Sequence, residues 1–192
     1  GLHAAFINAG EFGHMDICKY FSETISDIVT LGAEDSFFYA AQKGHLPIVQ
    51  FFVENAKVTA KSTGNVALRR AAGAGHFSVV QYLMTLKDIQ CDLAIVEAAK
   101  NGHPEIVLFL ADLCLPFTLQ TVCSAVAQTG NLGLFKVLVK EKNISLSEIR
   151  NGTIFSTSRF GHAGIMEHLF SNDIPVEIGV LELAFEAAVS AG

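Results

Sequence analysis

The 192-residue sequence predicts an all-α solenoid of stacked helix–turn–helix units, with six repeats and a partial seventh. The first observation is a recurring Gly-His pair, which returns at nearly regular intervals along the chain when Gly130-Asn131 is counted as its fifth member. The second is that positions −7, −4 and −3 before this glycine, and +4, +5 and +8 after it, are mostly apolar or small. Each set of offsets follows one face of a helix. The turn pairs are Gly13-His14, Gly44-His45, Gly75-His76, Gly102-His103, Gly130-Asn131 and Gly161-His162.

Each repeat is predicted to consist of a helix, a tight turn at the glycine, a second antiparallel helix, and a connection of about ten to fourteen residues. The prolines agree, since Pro47 and Pro104 fall in the first turn of a second helix, where a missing N–H costs little, while Pro116 and Pro175 fall in connections. The repeats extend over approximately residues 3–32, 33–63, 64–90, 91–118, 119–149 and 150–180, with the partial seventh at 181–192. We therefore expect one array over residues 1–192, and expect it to be a piece of a longer protein.

Composition excludes several classes of protein. Hydrophobic residues make up 51% and charged residues 17%, with a mean hydropathy of +0.40, which excludes intrinsic disorder. The longest apolar stretch, residues 106–117, contains Asp112 and is too short to span a bilayer, so no membrane insertion is expected. A net charge of −6 disfavours a general nucleic-acid binder. No secretory signal pattern opens the sequence, which favours an intracellular, cytoplasmic location.

The residues around the turn resemble the ankyrin repeat. Residues 40–49 (AAQKGHLPIV) and 98–107 (AAKNGHPEIV) are similar, almost residue for residue, to that family's Ala-Ala-x-x-Gly-His-x-x-Ile/Val-Val stretch. The resemblance covers nearly the whole chain and implies an array that binds partner proteins on a concave surface.

Two departures concern the connections. The family's Thr-Pro-Leu-His start is absent, and the spacing of the turn glycines averages about 30 residues against about 33 for the family. The β-hairpin fingers of the family are therefore expected to be short or irregular. A tetratricopeptide array is the main structural alternative, but its longer period, about 34 residues, and its Trp/Tyr/Pro signature do not fit a chain without tryptophan.

Neither the histidines nor the cysteines indicate a catalytic or metal-binding role. Five of the seven histidines occupy the same place in the repeat, which favours a structural role in which the ring hydrogen-bonds to backbone near the turn. Cys18 and Cys123 fall on apolar positions of predicted helices, and the four cysteines show no zinc-binding spacing. Enzyme signatures such as a Gly-rich phosphate loop or Gly-x-Ser-x-Gly are missing. We expect no enzyme, no cofactor and no metal.

The resemblance implies that the residues just before each turn glycine face a protein partner. Positions −6 to −1 of the six repeats carry five Lys or Arg and two Glu, although the chain as a whole is acidic. We hypothesise a basic inner face that accepts an acidic or phosphorylated segment, with aromatic side chains as anchors; ordinary solvated charges are the alternative interpretation. The expected binding residues are Phe12, Tyr39, Lys43, Arg69, Arg70, Lys100, Asn101, Arg159 and Phe160.

Two functions remain open. The first is a non-catalytic protein–protein interaction module. The second is the substrate-targeting or scaffold region of a larger enzyme or effector whose catalytic domain lies outside this sequence; an effector would act in the host cytoplasm. The chain is expected to be monomeric, with weak self-association through the exposed seventh repeat as an alternative.

Overall fold

The computed structural model describes residues 1–24, 26–55, 63–113, 118–171 and 178–191, and within these ranges the regular secondary structure is entirely helical. The chain divides into two compact units, Gly1–Asn101 (unit 1) and Gly102–Gly192 (unit 2). Unit 1 contains α1 (Leu2–Glu11), α2 (Met15–Thr24), α3 (Ser26–Lys43), α4 (Leu46–Glu54), α5 (Thr63–Ala74), α6 (Phe77–Met84) and α7 (Asp92–Lys100). Unit 2 contains α8 (Pro104–Leu113), α9 (Thr118–Thr129), α10 (Leu132–Glu141), α11 (Leu146–Phe160), α12 (Ala163–Phe170) and α13 (Ile178–Ala191).

The turn glycines end the first helices as the repeat pattern predicts. All six have φ between +70° and +84°, a left-handed conformation that a side chain makes costly. At the turns of Gly13, Gly44, Gly75 and Gly161, the residue after the glycine donates its backbone N–H to a carbonyl five residues earlier, as His45 does to Ala40 at 2.9 Å and His162 does to Thr157 at 3.0 Å. This bond satisfies a carbonyl at the end of the first helix and lets the second helix start at once.

The core lies where the repeat register predicts. The residues seven positions before each turn glycine, which are Phe6, Phe37, Leu68, Ile95, Cys123 and Ile154, are each at most 1% exposed. In unit 1 the first helices of successive repeats pack on one another, α1 on α3, α3 on α5 and α5 on α7. In unit 2, α11 packs on both α9 and α13. Small side chains at positions −4 and −3 allow this close approach, and the predicted all-α repeat architecture is confirmed.

Two helical positions differ from the expected burial. Ile17, at position +4 of the first repeat, is 44% exposed, while the neighbouring Cys18, at position +5, is buried as expected. Phe185 occupies position −7 of the seventh repeat and is 71% exposed, because in the described residues only the side of α13 around Ala184 is covered, by α11.

Some connections are shorter than the sequence predicts. Helix α3 begins at Ser26 and runs for 18 residues, so almost the whole expected connection between the first two repeats is helical. No proline lies between α2 and α3 to stop the helix from extending towards its N-terminus. The described parts of the connections contain no strand, as expected for short or irregular fingers. Asp88 and Asn143 occupy equivalent places after their turn glycines and both have positive φ, so a tight turn takes the place of the hairpin there.

No helix among the described residues is long and apolar enough to cross a membrane.

Cys91 is disulfide-bonded, whereas Cys18 and Cys123 are free and buried, which confirms their assignment to the core.

The buried thiols should resist alkylation in the folded protein. Burial raises the pKa of Cys18 to about 11, against the lowering effect of a hydrogen bond with Ser36, and burial raises the pKa of Cys123 to about 12. Iodoacetamide at pH 8 should therefore modify both only after unfolding, as followed by peptide mass spectrometry. Because each folded-state pKa lies above the unfolded value of 9.0, their contribution to stability is present below pH 9 and is lost as the pH rises towards 11 to 12. Equal labelling rates in native and urea-unfolded protein would show that these thiols are accessible.

Candidate functional site

The ends of the four first helices of unit 1 form a continuous row. The two residues before each turn glycine lie at or just after the C-terminal ends of α1, α3, α5 and α7, and these helices pack in sequence. We call this surface the unit 1 face. It comprises Glu11, Phe12, Phe38, Tyr39, Gln42, Lys43, Arg69, Arg70, Gly73, Ala74, Glu97, Lys100 and Asn101.

Polar contacts cross the unit 1 face from helix to helix. The Lys43 ammonium of α3 lies 3.3 Å from a Glu11 carboxylate oxygen of α1. One Nη of Arg70 in α5 donates to the Gln42 side-chain oxygen of α3 at 3.3 Å. Both contacts are solvent-exposed, so each adds little stability, about 0–1 kcal/mol. They fix the side-chain positions more than they hold the helices together.

Arg70 also stacks on two aromatic rings. Its guanidinium carbon lies 5.3 Å from the ring centre of Phe38 and 5.4 Å from that of Tyr39, both on α3. Cation–π contacts of this kind contribute about 0.5–1 kcal/mol at exposed sites. The two rings and Gln42 place the guanidinium at the edge of the groove, where its remaining N–H groups can act as donors.

A groove of about 480 Å³ opens in the unit 1 face where α3, α5 and α7 meet. Its lining residues are Gln42, Arg69, Arg70, Gly73, Ala74, Glu97 and Asn101. The lining contains two guanidinium groups and one carboxylate, so the groove carries a net positive charge although the chain is acidic. A guanidinium group suits the recognition of a carboxylate or phosphate, because two of its N–H donors match two acceptor oxygens at once.

The structure thus brings three of the predicted binding residues, Arg69, Arg70 and Asn101, into one groove. Tyr39 lies beside the groove under Arg70, and Lys100 is exposed at the end of α7. Lys43 is paired with Glu11 on the same face, next to Phe12, whose side chain is 64% exposed.

Arg159 and Phe160, the remaining predicted binding residues, lie at the end of α11 in unit 2. There they line a smaller pocket of about 180 Å³ together with Gln128, Phe155 and Ser156. Phe160 and Phe155 are both half-exposed, so this pocket presents apolar rings beside a guanidinium group.

Sequence reasoning missed Phe38 and Phe155. Both lie six residues before a turn glycine, on the same repeat position as Arg69. The predicted face already included this position, but only its charged residue, Arg69, was selected there; the aromatic residues at the same position were the signal that could have identified them.

The turn histidines hold the residues of these faces in place. His45 donates from Nε2 to the backbone oxygen of Glu11 at 2.9 Å, and His162 donates to the backbone oxygen of Gln128 at 2.8 Å. Each acceptor lies two residues before the turn glycine of the preceding repeat, so the ring reaches back across the repeat boundary. The ring also lies against that turn glycine, as a Cβ built on Gly13 would be 2.8 Å from His45 Cε1.

His45 and His162 therefore link their repeats to the preceding ones, and the ring of His76 lies against Gly44 in the same way. The full set of predicted turn residues is Gly13, His14, Gly44, His45, Gly75, His76, Gly102, His103, Gly130, Gly161 and His162. Asn131 stands where a histidine is expected, and its side chain instead accepts the backbone N–H of Leu134 at 3.0 Å and caps α10. Within the described residues, no three His, Cys, Asp or Glu side chains are grouped so that they could hold a metal ion.

Comparison with known proteins agrees with this architecture. The family model for ankyrin repeats, in three copies, matches residues 2–95 and 37–118, which together span more than half of the chain. No curated protein matches the sequence. Ankyrin repeats are in general protein–protein interaction modules, and the fold is typically non-catalytic. With two helices per repeat, a left-handed glycine at each turn and this match, the chain belongs to the ankyrin-repeat family.

Proposed function

We propose that the unit 1 face binds a protein segment that carries acidic side chains. The observation that supports this most directly is the groove between α3, α5 and α7, with Arg69 and Arg70 in its lining. A carboxylate that enters the groove would receive charge-assisted hydrogen bonds, which are about twice as strong as neutral ones. Phe12, exposed at the α1 end of the same face, would contribute apolar contact.

The charges of the unit 1 face support an acidic partner. The unit 1 face carries four cationic side chains and two carboxylates, which are Lys43, Arg69, Arg70 and Lys100 against Glu11 and Glu97. It is therefore positive, although the chain carries a net charge of −6. Attraction to an acidic segment is therefore local, and the rest of the chain would repel a polyanion such as DNA or RNA. This distribution favours a protein ligand over a nucleic acid.

The proposal includes a monomeric protein with an intracellular, cytoplasmic location. Free thiols at Cys18 and Cys123 are compatible with it. Cys91 is disulfide-bonded, and a disulfide is disfavoured in the cytoplasm because thiols are kept reduced there.

Reversing two exposed cations of the unit 1 face should abolish capture of the partner. We expect the double variant Arg69→Glu with Lys100→Glu to lose the proteins that the wild type captures from a cell lysate, as measured by quantitative mass spectrometry. Both side chains are exposed, so the helices should remain folded, as circular dichroism would verify. Losing two charge-assisted contacts of about 1.5–3 kcal/mol each would weaken binding by two orders of magnitude or more.

The matched control is the double variant Lys19→Glu with Lys87→Glu. It changes the net charge by the same amount at two exposed positions of unit 1 outside the face. A partner lost by the face variant and retained by the control supports the proposal. Equal loss in both variants would show that capture depends on net charge alone. Equal retention in both would show that the partner binds another surface.

A further inference from the structure

One repeat departs from the others on the unit 1 face. At the two positions before the turn glycine, the third repeat has Gly73-Ala74, whereas the pairs of the other five full repeats each include at least one long or bulky side chain. Glycine is unfavourable inside a helix, yet Gly73 lies in the last turns of α5. Without a side chain at Gly73, the Glu97 side chain of α7 lies close against α5, and the small Ala74 adds little bulk to the lining of the groove.

Beside Gly73 the groove is bounded by side chains of α7 and of Asn101, which follows it. A Cβ built on Gly73 would lie 2.8 Å from Glu97 Cγ and 3.6 Å from the Asn101 side-chain nitrogen. Asn101 uses one N–H to reach the backbone oxygen of Glu97 at 2.9 Å, which fixes its amide and leaves its second N–H as a donor. Arg69 and Arg70, one turn earlier on α5, supply the cationic donors.

We propose that the part of the groove beside Gly73 and Ala74, which we call the Gly73 notch, takes a single Asp or Glu side chain of the bound segment. The inference rests on the proposed function and specifies which ligand group the face selects. Two guanidinium groups against one carboxylate leave the notch with one net positive charge, which a monoanionic carboxylate matches.

A phosphoryl group fits the notch less well. Its charge of about −1.5 to −2 at pH 7 makes it costlier to desolvate than a carboxylate, and Glu97 in the lining lowers the positive potential that would offset this cost. The notch is therefore selective for a carboxylate over a phosphate, and Glu97 is the residue that sets this selectivity.

Small blocked amino acids can test the notch without knowledge of the partner. We would titrate the ¹⁵N-labelled full chain with N-acetyl-glutamate methylamide, and separately with the phosphoserine and glutamine analogues. We expect saturable shifts at the backbone amides of Gly73, Ala74 and Asn101, and at the side-chain Nε–H of Arg69 and Arg70, with a roughly millimolar Kd for the glutamate probe. The glutamine probe should produce no saturable shift, and the phosphoserine probe should bind more weakly than glutamate.

Two variants test the assignment of the site. Filling the notch by Ala74→Gln should weaken glutamate binding at least about fivefold, while Ala4→Gln, at an exposed position of α1, should leave it unchanged. Glu97→Gln should reverse the preference, so that phosphoserine binds more tightly than glutamate.

Several outcomes would overturn the inference. These are equal shifts with glutamate and glutamine, shifts spread over exposed cations outside the groove, no shift with any probe, or tighter phosphoserine binding in the wild type. The lysate experiment is independent: retained capture by Arg69→Glu with Lys100→Glu would reject the proposed function even if the notch binds glutamate. Conversely, capture lost in that variant without probe binding would reject the notch alone.

Discussion

Replacing Phe52 by alanine is expected to destabilise the protein by about 3–5 kcal/mol, the largest effect of any single substitution considered for this chain. Phe52 is fully buried in α4. Its ring lies 5.8 Å from that of Phe6 and 6.5 Å from that of Phe37, both edge-to-face, so it joins the first helices of the first two repeats. Truncation would remove the burial of an aromatic side chain and leave a cavity between three helices.

Urea unfolding followed by circular dichroism would measure the loss, since the chain has no tryptophan for fluorescence. The matched control is Phe51→Ala, because Phe51 precedes Phe52 in α4 but is only half-buried. We expect it to cost less than half as much. Equal effects at the two positions would contradict the burial pattern of α4.

The loss should also be local. Each repeat packs on its neighbours, so the stability of a repeat array is approximately a sum of terms for single repeats and their interfaces. Hydrogen exchange should accelerate in α1, α3 and α4 of the Phe52→Ala variant, and change little in α11 and α12. Uniform acceleration would show that the array unfolds as one cooperative unit.

The features that repeat along the chain could be predicted from the sequence. Gly44 is followed one repeat later by Gly75 in the same context, and both are left-handed. Burial at position −7 could be predicted in the same way, because the register fixes which face of the helix is apolar. These predictions needed only local periodicity.

Features that depend on contacts between repeats could not be predicted. The stacking of Arg70 on Phe38 and Tyr39 joins α5 to α3, and no spacing within one repeat indicates it. The groove depends on the small side chains of Gly73 and Ala74 relative to those of Glu97 and Asn101 in the next repeat. The length of α3 was also missed, since the absence of a turn signal is weaker evidence than the presence of one.

Gly130→Ala is the second substitution with a large expected effect, about 2–4 kcal/mol of lost stability. Gly130 has φ +70°, and the left-handed conformation alone costs a residue with a Cβ about 1–2 kcal/mol. The added Cβ would also lie 2.5 Å from Nδ1 of His162, closer than any real contact of this kind. The ring would have to move, and its hydrogen bond to the Gln128 backbone oxygen would be strained or lost.

Gly161→Ala separates the conformational part of this loss of stability from the part due to steric conflict with His162. Gly161 has nearly the same backbone, φ +76°, but a Cβ there would meet no described atom within 4 Å. It should therefore lose only the conformational part, about 1–2 kcal/mol. If both variants lost the same stability in urea unfolding, steric conflict with His162 would contribute nothing.

A double-mutant cycle would assign the remainder to His162. In a His162→Ala background the ring is absent, so Gly130→Ala should cost no more than Gly161→Ala does in the wild type. The coupling energy between positions 130 and 162 then measures how strongly the turn histidine links one repeat to the one before it. A coupling near zero would mean that the histidine merely occupies the turn, and that stacking of the first helices alone holds the repeats together.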